Sequence, residues 1–167
     1  MNDNYLVLNG KKITLTKEQL ETLGIIEKDY NPFDRVAVGC EYYFVGMFGN
    51  VAKYTQPQLG YVEDEALFNS CNYFNDASAA QQVALHQLLY RKLLKFAYDN
   101  NCVDTAEWNG DNTHWTIRYN DILNIFVAYI QTGCKAPDVY FSSEAATKRA
   151  IKEVVEPFVK DHPEFVW

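Results

Sequence analysis

The chain reads as an α+β protein: an N-terminal hairpin and short helix, then two β-hairpin/strand–helix units with their helices packed on antiparallel sheet. Three observations predict this. Aromatic residues make up 15% of the 167 residues, with 12 Tyr and 10 Phe, and flat rings at that density favour pleated, half-buried strands. Strand-like runs bounded by turn residues precede segments of helical spacing, twice over. Finally, Tyr73-Phe74-Asn75-Asp76-Ala77-Ser78-Ala79-Ala80 recurs in kind as Tyr140-Phe141-Ser142-Ser143-Glu144-Ala145-Ala146-Thr147. Both copies run from an aromatic pair through a capping residue to an alanine-rich first turn. If the two units pair their sheets with both helices on one face, the opposite aromatic-rich face is left partly open to a partner.

The elements follow in order. Tyr5–Leu8, Asn9-Gly10 and Lys12–Leu15 make a hairpin, because Asn-Gly tolerates the positive φ of a type I′ turn. Thr16 with Gln19 three residues on forms a capping box for a short helix. Leu20 and Leu23 are its apolar side, and Gly24 stops it. Asn31-Pro32 marks a boundary. Glu41–Val45, a turn over Gly46–Asn50, and Val51–Tyr54 form a second hairpin. The Gln56–Ser70 stretch, with Pro57, Gly60 and the run Glu63-Asp64-Glu65, reads as an exposed connection. Tyr73-Phe74 is a short strand, and Asn75 or Asp76 caps a long helix whose Leu85, Leu88, Leu89, Leu93 and Phe96 share a face. That helix runs out near Asp99.

The pattern then returns. Trp115–Tyr119 is a strand, Asn120-Asp121 a turn, and Leu123–Ile130 a strand. Asp138–Phe141 is a short strand and Ser142 caps a helix with an apolar face from Ala146 to Phe158. Pro157 is expected to kink or end it. The units so defined are 1–30, 31–101 and 102–167, gathered in one compact domain.

Charge and cysteine usage narrow the function. With 15 basic against 22 acidic residues the net charge is −7, which argues against direct nucleic-acid binding. The sharper reading of that charge is an acidic face offered to a basic partner. The four cysteines, Cys40, Cys71, Cys102 and Cys134, include no CxxC pair, and read as free, mostly buried thiols of a reducing cytosol. No signal-peptide pattern opens the chain, and no apolar run is long enough to span a bilayer. A bacterial cytoplasmic location follows as an expectation.

Catalytic motifs for phosphate binding, dinucleotide binding, acyl transfer and zinc hydrolysis are absent, so a non-enzymatic role without catalytic residues, cofactor or metal is expected. His86, His114 and His162 lack partners at ligand spacing. The loop Glu107–Asn112 fails as a calcium site, since Thr105 and Thr116 stand where an EF-hand needs Asp and Glu. Candidate interaction residues are the aromatics Tyr42, Phe48, Tyr54, Trp108 and Trp115, with the acids Glu63, Asp64 and Glu65. For the aromatics the competing reading is core packing, and for the acids a solvated charge run.

Leu15–Leu20, Asn31-Pro32-Phe33, Glu41–Phe44 with its Gly-Asn-Val turn, Asn72-Tyr73-Phe74, Leu94–Asn101 and Val139–Ala146 together resemble a set of small uncharacterised phage and prophage proteins. The resemblance covers most of the chain in short pieces. It departs in the long 56–70 connection and at Asp161–Phe165. It implies a phage accessory protein that binds and inhibits a host protein or nucleoprotein complex, an anti-CRISPR or other anti-defence factor being one form. It assigns no catalytic residues. Virion assembly is the alternative, with self-association as a homodimer among the options. A single-stranded nucleic-acid binder using stacked aromatics and an enzyme of unrecognised type stand behind these.

Overall fold

A computed structural model describes residues 5–8, 11–23, 30–56 and 61–167. Helices and antiparallel two-stranded sheets make it an α+β fold. Residues 1–32 and 33–167 form separate compact units, with both strand–helix repeats inside the second.

In the first unit, β1 (Tyr5–Leu8) pairs antiparallel with β2 (Lys11–Thr14), Leu8 opposite Lys11. The Asn9-Gly10 turn lies outside the described residues, as does Gly24. Helix α1 (Lys17–Thr22) opens with the capping box: Thr16 Oγ1 accepts from Gln19 N at 3.3 Å, and Gln19 Oε1 accepts from Thr16 N at 3.0 Å. Two otherwise orphaned backbone donors are thereby satisfied. Leu20 is buried, whereas Leu23 caps the C-terminus and is exposed.

In the second unit, β3 (Glu41–Val45) and β4 (Val51–Thr55) pair from Glu41↔Thr55 to Val45↔Val51. Residues 61–70 overturn the expected exposed connection: Val62–Asn69 is a helix, α2, and it places Asp64 fully inside. Pro57 and Gly60 lie outside the described residues. Phe74 then bridges to Tyr43, its N–H donating to Tyr43 O at 2.8 Å and its carbonyl accepting from Tyr43 N at 2.7 Å. Asp76 caps α3 (Ala77–Asp99), accepting from Ala79 N at 3.1 Å.

The second repeat follows the same plan. β5 (His114–Asn120) pairs with β6 (Ile125–Gln131). Phe141 bridges back, its N–H donating to Trp115 O at 2.8 Å. The residue that caps α4 (Glu144–Ala150) is Ser143, one later than expected, with Oγ accepting from Ala146 N at 3.2 Å. Ser142 is used otherwise: its N–H donates to Cys102 O at 2.9 Å. Pro157 neither ends nor breaks the helix. A π-helical segment (Ile151–Val155) precedes α5 (Glu156–Asp161), and Glu156 N–H donates to Ile151 O. The wider turn lets the chain continue although Pro157 has no N–H to give.

The α3 stripe of Leu85, Leu89, Leu93 and Phe96 packs with Ile117, Phe141, Ile151 and Val155 in one core. The two repeats therefore bury their apolar faces against each other. Cys102 lies in this core, and burial pushes its thiol pKa up. Cys40, Cys71 and Cys134 are exposed, contrary to the expectation of mostly buried thiols. Among the described residues no helix is long and apolar enough to cross a membrane.

Candidate functional site

Two of the candidate interaction residues belong to an internal network. Tyr42 is 1% exposed, and its hydroxyl donates to Asp64 Oδ1. The other carboxylate oxygen accepts from Gln56 Nε2 at 2.9 Å, and Tyr73 Oη donates to Gln56 Oε1 at 3.0 Å. Val36 N–H closes the chain of bonds on Tyr73 Oη at 3.2 Å. The Tyr42 and Tyr73 rings stack with centroids 4.3 Å apart. Burial first, then the bond to Asp64, pushes the Tyr42 hydroxyl pKa far above the ordinary tyrosine value. Burial raises Tyr73 as well, opposed by the Val36 N–H and the Arg35 charge. Tyr42 and Asp64 thus cannot be surface contacts: they are a satisfied polar core. Of the other acids, Glu65 Oε2 pairs with Arg35 at 2.5 Å and Glu63 is exposed.

The second repeat holds a related pair. His114 is fully buried, and its Nδ1 lies 2.5 Å from Asp104 Oδ2. Its Nε2 has no hydrogen-bond partner among the described residues. Trp108 stacks on the imidazole, centroids 3.6 Å apart and planes 7° from parallel, with Tyr140 edge-on to the indole. The loop after Trp108 turns on Asn109, whose Oδ1 accepts from Asp111 N at 3.0 Å and Asn112 N at 3.1 Å. Trp108 is half-buried as a cover for His114, and Trp115 packs against the main core. Both serve packing and do not stand out as free anchors. Tyr54 is exposed, with its ring edge towards Tyr42 at 6.1 Å.

Phe48 is the exception among the candidates. It is 88% exposed and Met47 beside it is 91% exposed, at the tip between β3 and β4. The tip is held from within. Gly46 N donates to Asn50 O at 2.8 Å, and Gly49, at φ +80°, donates to Gly46 O at 2.9 Å. A side chain at Gly49 would be strained by that φ and would meet Arg91 Nη2 at 3.1 Å. Below the tip the Asn72 amide clamps Val45, accepting from its N–H at 2.8 Å and donating to its carbonyl at 2.9 Å.

The β5–β6 tip presents a second apolar pair that the sequence reading missed. Ile122 is 90% exposed and Leu123 follows it outside the strand. Asn120 Oδ1 accepts from Ile122 N at 3.1 Å and Leu123 N at 3.0 Å, and Asn124 takes φ +52°. The strand therefore starts at Ile125, two residues later than expected. The signal available in the sequence was an Asn-Asp turn followed by two apolar residues before a second Asn.

Compared with protein families, curated proteins and solved structures, the chain finds no match in any of the three.

Proposed function

We propose that this protein acts by binding another protein, with Met47 and Phe48 as its principal anchors. The observation that carries the reading is their near-complete exposure on a turn whose backbone is already fixed. Burying an apolar side chain of this size is worth about 1.5–3 kcal/mol, and a preformed tip loses little conformational freedom on binding. Few large side chains at an interface supply most of its energy, and aromatic anchors seated in a pocket are the usual ones. The matching partner surface is an apolar recess wide enough for a phenyl ring. The resemblance to phage and prophage proteins makes a bacterial host protein the intended target, with inhibition of a defence complex, such as a CRISPR effector, as the outcome.

The test is affinity capture from nuclease-treated bacterial lysate with the tagged chain and with a Met47→Ser/Phe48→Ser variant. A stoichiometric complex retained by the first and lost by the second is the expected result. Equal capture by both, or recovery of the bait alone, removes the tip from the function.

A further inference from the structure

A cleft of about 480 Å³ opens between α3, β5 and the 137–139 segment, and its Arg91 wall reaches Gly49 at the base of the β3–β4 tip. Its floor is apolar, formed by Leu89, Ile117 and Val139, and its walls carry Arg91, Arg118 and Asp138. That charge balance is unusual for this chain. Acids outnumber bases 22 to 15 overall, yet two arginines and one aspartate line this cleft. The chain has only four arginines, and the other two are engaged elsewhere: Arg35 with Glu65, and Arg149 with Glu153 and Asn100. Arg91 is exposed and has no carboxylate partner among the described residues.

Arg118 is held but not used up. Its Nη1 lies 2.8 Å from Asp138 Oδ2, an ion pair that lacks hydrogen-bond alignment, since Oδ2 accepts no aligned bond. Its Nη2 reaches Gln131 Oε1 only at 3.5 Å. A guanidinium offers five N–H donors in a planar fork suited to a carboxylate or phosphate, so donors remain for a ligand. Asp138 fixes where the fork sits without saturating it.

We infer that this cleft binds a small amphipathic anion, its apolar or aromatic body on Leu89, Ile117 and Val139 and its carboxylate or phosphate head between Arg91 and Arg118. The volume lies within the range of about 300–1,000 Å³ common to small-molecule sites. Two arginines lining an apolar floor select for charge at one end of the ligand and against it at the other. A wholly apolar ligand leaves both guanidinium groups unrewarded, and a polyanion with no body leaves the floor wet.

The test titrates the isotopically labelled full chain with 2-naphthylacetate, 2-naphthyl phosphate and the neutral 2-naphthylacetamide, following amide and arginine side-chain resonances. The expected result is saturable shifts at Ile117, Val139 and Arg118 Nε, with an anion binding about tenfold tighter than the amide. Whichever anion binds tighter assigns the head group. Arg91→Gln, an exposed change that spares the fold, is expected to weaken the anion about tenfold and leave the amide unchanged; Arg118→Gln does the same if folded. Phe48→Ser leaves all three affinities unchanged, which separates this site from the tip. Equal binding of anion and amide, shifts centred elsewhere, or no saturable shift with any probe overturns the inference.

Discussion

The two repeats of the larger unit place a titratable ring in the same slot and then finish it differently. In each, the residue just before the bridged position of the first hairpin strand points inward: Tyr42 before Tyr43, and His114 before Trp115. In each, a carboxylate meets that ring and the first aromatic of the recurring pair, Tyr73 or Tyr140, lies beside it. The acid arrives from opposite directions along the chain. Asp64 comes from α2, after its hairpin, while Asp104 precedes its hairpin. The first repeat closes its network, with both Asp64 oxygens accepting bonds. The second leaves His114 Nε2, beneath Trp108, without a partner among the described residues. A packing slot is thus set by the strand–bridge–helix plan, while its polar completion is local.

The largest expected effect breaks this comparison by removing each pair whole. Tyr42→Phe with Asp64→Leu strips Gln56 Nε2 of its carboxylate inside the core, so a cost of about 2–3 kcal/mol is expected. His114→Phe with Asp104→Leu removes the orphaned nitrogen together with its acid and, among the described residues, frees the exposed Ala106 N–H, which water can reach. Its cost should stay near 1 kcal/mol or below. Urea unfolding of both double variants measures the difference, and equal losses would show that the two networks are equivalent.

The first network also makes stability depend on alkaline pH. The Tyr42 and Tyr73 pKa values are raised in the folded chain, so the folded state keeps those protons longer than the unfolded one. Their contribution is complete below about pH 10, the ordinary tyrosine value, and is lost as pH rises above it. Urea midpoints between about pH 9 and pH 11 should therefore fall, and fall less steeply in Tyr42→Phe. An unchanged slope in that variant would place the titration elsewhere.

The smallest effect expected is at the tips. Phe48→Ser and Ile122→Ser touch nothing buried, so each should change stability by no more than about 0.5 kcal/mol. A larger loss in thermal melting would mean that a tip packs against the protein, and would weaken its claim as a binding anchor.

Local chemistry made much of the fold readable. The capping box at Thr16 and Gln19, the leucine stripe of α3 and the recurring aromatic pair are short-range patterns, and each marks its element in the structure. What escaped depends on three-dimensional phase. Glu63, Asp64 and Glu65 look alike in a row, yet α2 turns only the middle one towards Tyr42 and Gln56. Ser142 and Ser143 are chemically identical cap candidates, and the backbone bond of Ser142 to Cys102 decides between them. Phe48 was legible as an aromatic in a turn, but its neighbour Met47 and the second pair at Ile122 were not, because exposure is a property of the finished surface.

The π segment before Pro157 has a consequence for everything downstream of it. Each residue of an α-helix advances the chain by about 100°, so a local change of winding resets the rotational phase of α5. Phe158 reaches the core at that setting, and Phe165 packs against both Phe158 and His86. Gln82 on α3 then grips the tail at two points, donating to Glu164 O at 2.6 Å and accepting from Val166 N at 2.9 Å. Trp167 comes to rest on Phe126 and at the wall of the cationic cleft. One irregular turn therefore acts as a clocking device, and the angle it sets decides where Trp167 meets the cleft.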